Sequence, residues 1–167
     1  PLPVLLRLAL LILHNPPYEP LDILLSYSHL CLQNATFLQF IPHFYARAQI
    51  KQLMAASPLS MGLLTPSPPD WHPAPPALRS AVKDALATWD ADFPNLAVGF
   101  SMRQLDALST QIPLVIGFSN PREVHEAVSI WREVTNGGEH SHRKEGEERV
   151  VRIIREAGYL DWSWSSP

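Results

Sequence analysis

The stretch Ala55–Pro76, AASPLSMGLLTPSPPDWHPAPP, decides how the rest of the chain is read. A short apolar run, Leu53 to Ala56, stops at Ser57-Pro58, turns through Gly62 and gives way to a long proline-rich loop carrying Trp71 and His72. Pro58 fixes its own φ and withholds a backbone donor, so the run reads as a strand that ends there. Gly62 permits close backbone approach. Pro66, Pro68, Pro69, Pro73 and Pro75 restrict the loop before it folds, which lowers the entropy lost on folding. A stiffened loop after a strand, with an indole and an imidazole at its tip, suits a ligand-holding role. The plain alternative is a rigid connector with Trp71 on the surface.

Working outward, Ile50–Ala56 is expected as a strand. Leu21–Tyr27 (LDILLSY) and Pro113–Phe118 (PLVIGF) are short apolar runs that read as two more, each buried on both faces. Helices are expected at Leu2–Leu13, ending before Asn15-Pro16-Pro17, and at Thr36–Ala48, interrupted at Pro42. Pro76–Trp89 follows, with Leu78, Val82, Ala85, Leu86 and Trp89 on one face. A shorter helix, Asn95–Leu108, starts at an Asn cap. Ser119-Asn120-Pro121 opens a helix through Val134, closed by Asn136-Gly137-Gly138. The polar run 139–149, EHSHRKEGEER, reads as a solvated charged insertion before a last helix, Val150–Ala157. Alternating strands and helices imply βαβ units and a parallel sheet that takes ligands at its C-terminal ends. Three strands make a poor sheet, so further strands are expected before Pro1.

Composition narrows the function. The 167 residues are 46% hydrophobic and 17% charged, with a formal net charge of −3, so the basic footprint of a nucleic-acid binder is absent. Leu2–Leu13 is too short for a membrane span and carries Arg7, and its flanks do not suit a secretory signal. The lone Cys31 allows no internal disulfide, which fits a reducing, cytoplasmic setting. Ser57, Ser101 and Ser109 lack a G-x-S-x-G frame, so no hydrolase triad is expected. His140 and His142 lack a third ligand, so no metal site is expected.

The strings AASPLSMGLL, PPDWHPAPP and IPLVIGFSNPREVHEAV together resemble the aldo/keto reductases, and within them the branch of sugar 1-dehydrogenases acting on L-galactose or D-arabinose. The resemblance covers most of residues 1 to 135 and implies an α/β fold that is part of a (β/α)₈ TIM barrel. This chain would be its C-terminal portion, residues 1–167, supplying strands six to eight with their helices; a whole barrel needs about 250 residues.

The same resemblance implies the site. Ser57, Pro58, Leu59, Ser60, Met61 and Gly62 would lie along a dinucleotide's pyrophosphate, and Ser26 and Tyr27 near the nicotinamide. Ala56 stands where a stacking tyrosine is usual. Gly117, Phe118, Ser119, Asn120, Glu123 and Glu126 would hold the adenosine half, and Trp71 and His72 would face substrate; His72 has the alternative of a backbone-bonded loop residue. NADP-preferring members carry a lysine and an arginine where this chain has Gly117 and Glu123. A carboxylate repels a 2′-phosphate and accepts a bond from a free ribose hydroxyl, so the cofactor expected is NAD rather than NADP.

The family's catalytic Asp, Tyr, Lys and His come from the first half of the barrel, and no residue here matches them. The expected parent is an NAD-dependent aldose dehydrogenase that makes an aldonolactone from a small sugar, with no nucleic-acid or membrane partner. The alternative is a non-catalytic half-barrel remnant with at most weak nucleotide binding or an interaction role.

Overall fold

The computed structural model describes residues 1–136 and 140–164. Helix α1 (Leu2–Leu13) leads into strand β1 (Ile23–Tyr27), helix α2 (Phe37–Ala46) and strand β2 (Gln52–Ala56). After the proline-rich loop come α3 (Pro76–Leu86), α4 (Phe93–Asp106), β3 (Leu114–Val115), α5 (Pro121–Thr135) and α6 (Ser141–Glu156). The strands form one parallel sheet in the order β1-β2-β3. Tyr27 lies opposite Ala56, and Ala56 opposite Val115, so all three strands reach their C-terminal ends together.

Helices cover only one face of this sheet, which corrects the expectation of strands buried on both sides. Leu24, Leu53 and Ala55 share the covered face and pack on Leu2, Leu6 and Ala9 of α1 and on Phe37, Ile41 and Phe44 of α2. Each such buried leucine, isoleucine or phenylalanine contributes roughly 1.5–3 kcal/mol. The pleat turns the alternate residues the other way, and Ile23, Leu25, Tyr27 and Val115 stay exposed. β3 is also shorter than the expected Pro113–Phe118: only Leu114 and Val115 pair with β2.

Three helices depart from the sequence reading. α2 runs unbroken through Pro42. The ring forfeits one backbone bond, and the buried stripe of Phe37, Ile41 and Phe44 offsets the loss. α4 starts two residues before the expected Asn95 and is the central helix. It sends Leu105 to the sheet-side core, Phe93, Leu96 and Phe100 to a second core with α3 and α6, and Val98 to α5.

The polar run is helical rather than a loop: residues 141–149 form the first half of α6, mostly exposed but with Arg143, Gly146 and Glu147 buried along one stripe. Charges are tolerated there because they are paired. Glu147 meets Arg103 of α4. Arg143 meets Glu133 of α5 at 3.0 Å and donates to the Asn95 side chain at 2.8 Å. The two small positions are equally specific: a Cβ on Gly146 would run into the Trp89 ring, and one on Gly99 into Arg143. α5 ends at Thr135 with Asn136 as its cap; the Gly137-Gly138 expected to close it lies outside the described residues. Among the described residues no helix is long and apolar enough to cross a membrane.

Candidate functional site at the strand ends

The loops leaving the sheet are tied to one another at their first residues. The Ser28 amide donates to the Ala56 carbonyl at 3.0 Å, and the Ser57 amide to the Val115 carbonyl at 3.3 Å. Both serines carry left-handed backbone, φ +59° and +61°. Non-glycine residues adopt that region at a cost, and such residues gather where function dictates shape. Three more follow in one turn: Ser60 at +51°, Met61 at +59° and Gly62 at +87°.

The turn satisfies itself from within. Ser57 accepts from the Ser60 amide through its carbonyl at 2.9 Å and from the Met61 amide through its hydroxyl at 2.8 Å. The Leu59 carbonyl takes the Gly62 and Leu64 amides, each at 3.1 Å. Gly62 is required twice over, by its φ and because a Cβ there would sit 3.0 Å from the Pro69 ring. The turn is therefore a preset shape at the strand end.

The proline-rich loop is held by two side chains. The Ala74 amide donates to His72 Nδ1 at 3.0 Å, which fixes the proton on Nε2, and Nε2 donates to the Ser60 carbonyl at 2.9 Å. Burial, foremost, and the nearby Arg79 hold His72 below the usual imidazole pKa, against the opposing pull of the Ser60 carbonyl. Arg79, in the first turns of α3, donates to the carbonyls of Pro69 and His72, each at 2.8 Å. Sequence reading missed Arg79, although an arginine three residues after WHPAPP was the available signal. With both ring nitrogens engaged, His72 matches the backbone-bonded alternative and has none left for substrate. Trp71, 69% exposed, is displayed beside it.

Beyond β3, Asn120 and Glu123 cap α5 reciprocally. The Glu123 amide donates to Asn120 Oδ1 at 3.1 Å, and the Ser119 amide to the Glu123 carboxylate at 2.7 Å. Glu126 is engaged with Arg122 at 2.7 Å. Phe118, Ser119 and Asn120 line an open cleft of about 370 Å³. A phosphate brought to this end would meet the Glu123 carboxylate. Gly117 adds no obstruction, since a Cβ there would touch nothing.

Of the residues expected near the nicotinamide, Tyr27 lies at the open face, 52% exposed. Ser26 does not: the pleat buries it on the helix-covered side, where its hydroxyl lies 3.4 Å from His29 Nδ1. Within the Ser57–Gly62 turn, Pro58 and Ser60 are buried, and Ser57, Leu59, Met61 and Gly62 are half-buried. A second cavity, of about 440 Å³, lies beside Tyr27 and Met61 and is lined also by Ser28, His29, Trp162 and Trp164. Those four residues were not expected as site residues. His142 lies against the Trp89 ring, 4.9 Å between centroids, far along the chain from these loops.

The fold is α/β, a parallel sheet in sequence order with its connecting helices on one side and its shaped loops at one end. That arrangement is consistent with part of a β/α barrel. No family model matches the chain. L-galactose dehydrogenase of Arabidopsis thaliana is 34% identical over 155 residues, which cover 90% of this chain and 46% of that protein. D-arabinose 1-dehydrogenase of Saccharomyces cerevisiae is 29% identical over 154 residues, 88% of this chain and 45% of that protein. The chain is thus similar to dehydrogenases of the aldo/keto reductase type, and it spans about half the length of the curated relatives it matches.

Proposed function

We propose that this chain is the cofactor-holding part of an aldose 1-dehydrogenase, supplying strands six to eight of a (β/α)₈ barrel whose other strands cover the exposed face of Ile23, Leu25, Tyr27 and Val115. The observation that carries this reading is the adjacency of two shaped loops, after β2 and after β3, at the same end of a parallel sheet. Ser57, Leu59, Met61 and Gly62 line one side of a dinucleotide's path, and Gly117 to Asn120 with Glu123 line the other. A bound nicotinamide cofactor supplies the hydride acceptor. The residues of this chain bind and orient it, and Trp71 borders the sugar.

NAD is the favoured cofactor, because Glu123 fills the capping position where a 2′-phosphate would need cations. On this reading the reaction takes the anomeric carbon of D-arabinose or L-galactose to the lactone. The acid–base residues lie outside this chain. A non-catalytic half-barrel with at most weak nucleotide binding or an interaction role is the second reading.

The test is a titration of the 167-residue chain with NAD and NADP, run beside sugar-dependent NAD reduction by a longer product containing it. NAD binding by the chain, with turnover only in the longer protein, is the expected result. Turnover by the chain alone contradicts the assignment of acid–base residues elsewhere. Failure of both proteins to bind NAD leaves the second reading.

A further inference from the structure

The proline-rich loop carries hydroxyls as well as Trp71 and His72. Its stretch Thr65-Pro66-Ser67-Pro68-Pro69 twice sets a hydroxyl residue directly before a proline, and Ser57-Pro58 does so just upstream. Ser166-Pro167 lies outside the described residues. A hydroxyl residue followed by proline is what a proline-directed protein kinase reads, and the structure separates the three described pairs. Ser57 is half-buried, its hydroxyl accepts from the Met61 amide at 2.8 Å, and Pro58 is buried. Thr65 is half-buried, and its hydroxyl donates to the Gly62 carbonyl at 2.7 Å. Ser67 is the exposed one, on a bend outside every helix and strand. Modifying Ser57 or Thr65 would first break the turn that their hydroxyls hold, whereas Ser67 stands outside those bonds. Exposed loop positions of this kind are where modifying enzymes gain access.

A phosphate on Ser67 would stand close to the turn after β2. Ser67 and Pro69 are two residues apart, so their Cα atoms lie within about 7 Å of each other. The Pro69 ring packs on Gly62, 3.0 Å from where a Cβ would be. The added group is therefore on the order of 10–15 Å from the turn, comparable with the Debye length of about 10 Å at 0.1 M salt. It carries a charge of about −1.5 to −2 at neutral pH. The chain has no Lys or Arg between Lys51 and Arg79. Arg79 is already committed to the Pro69 and His72 carbonyls, so the loop itself supplies no free cation to neutralise the phosphate. The pyrophosphate of a dinucleotide laid along Ser57–Gly62 carries the same sign and would be repelled.

We propose that Ser67 is the acceptor of a proline-directed protein kinase and that its phosphate weakens dinucleotide binding at the Ser57–Gly62 turn. Ser67 Oγ attacks the γ-phosphorus of ATP. The Oγ–P bond forms, the bond from that phosphorus to the bridging oxygen breaks, ADP leaves, and the hydroxyl proton passes to the kinase. The effect on the turn rests on the dinucleotide reading above; the acceptor site does not.

The test is treatment of the 167-residue chain with a purified proline-directed kinase and ATP, mapping of the phosphate by mass spectrometry, and calorimetric titration with NAD before and after. Phosphate is expected on Ser67, with Ser57 and Thr65 unmodified. Arg79→Ala, which loosens the loop, is expected to speed its incorporation. NAD affinity of the phosphorylated chain is expected to fall about threefold at low salt, and the difference to shrink as salt is raised, because the repulsion acts across solvent. Ser67→Ala, treated in the same way, is expected to keep the affinity of the untreated chain. Phosphate confined to Ser57, Thr65 or Ser166, or none in either the wild type or Arg79→Ala, overturns the acceptor site. Phosphorylated Ser67 with unchanged NAD affinity at low salt, or with a loss that salt does not reduce, overturns the effect on the turn. Absence of NAD binding by the untreated chain overturns the dinucleotide reading instead, while the phosphate map still decides the acceptor site.

Discussion

The Ser57 amide donates to the Val115 carbonyl at 3.3 Å, one residue past the end of β2 and at the last residue of β3. This bond joins the starts of the two loops read as cofactor loops, so their shapes are set against a common edge. Turn, proline loop and capped helix then follow as one connected end of the sheet.

Gly62→Ala tests the turn. Alanine must adopt φ +87° and press on Pro69 at 3.0 Å, so a loss of roughly 1–3 kcal/mol is expected. Chemical denaturation measures it, and NAD affinity is expected to fall with it. Gly117→Ala, facing open space without a left-handed φ, is expected to leave stability nearly unchanged.

Arg79→Ala tests the loop. Removing the guanidinium leaves the Pro69 and His72 carbonyls without their charged donor, at a cost of about 2 kcal/mol. Proteolysis between Thr65 and Pro76 is expected to quicken while the helices stay protected.

His72 gives the loop a pH dependence. Its folded pKa is depressed, so the neutral ring is the native form and the unfolded chain takes up the proton more readily. The stability it contributes is complete above the unfolded value, about pH 6.5, and declines as pH falls below it. Thermal melts across that range are expected to show the loss in the wild type and a smaller slope in His72→Gln.

Glu147 tests the buried face of α6. Glu147→Ala strands Arg103 opposite an empty site, with an expected loss of roughly 3–5 kcal/mol. Replacing both partners by methionine is expected to cost much less, since no uncompensated charge remains. Equal losses in the two variants, measured by denaturation, would argue against the pair.

Glu123→Gln tests cofactor choice. Glutamine keeps the reciprocal cap and removes the charge, so α5 should hold while the repulsion of a 2′-phosphate disappears. The ratio of NADP to NAD affinity is expected to rise about tenfold, equivalent to 1.4 kcal/mol. An unchanged ratio would remove Glu123 from the specificity argument.

Much of this was legible in the residues, and the exceptions have physical causes. The end of β2 was marked by Ser57-Pro58, because a lost donor is a local fact, whereas the end of β3 at Val115 was not marked and the reading ran on to Phe118. The burial of α6 was not legible, because Arg143 and Glu147 look solvated until Glu133 and Arg103 arrive from other helices. Ser26 and Tyr27 were read together as neighbours in sequence, yet the pleat sends them to opposite faces. Gln33 and Asn34 donate to the carbonyls of Tyr159 and Asp161, more than a hundred positions away, and no local pattern announces it.

The central claim is that the loops after β2 and β3 grip one dinucleotide, and amide hydrogen exchange of the chain with and without saturating NAD tests it most directly. Joint slowing of residues 57–62 and 117–123 on NAD addition, with equal dependence on its concentration, is the predicted result. Protection confined to one loop, or to neither, contradicts it.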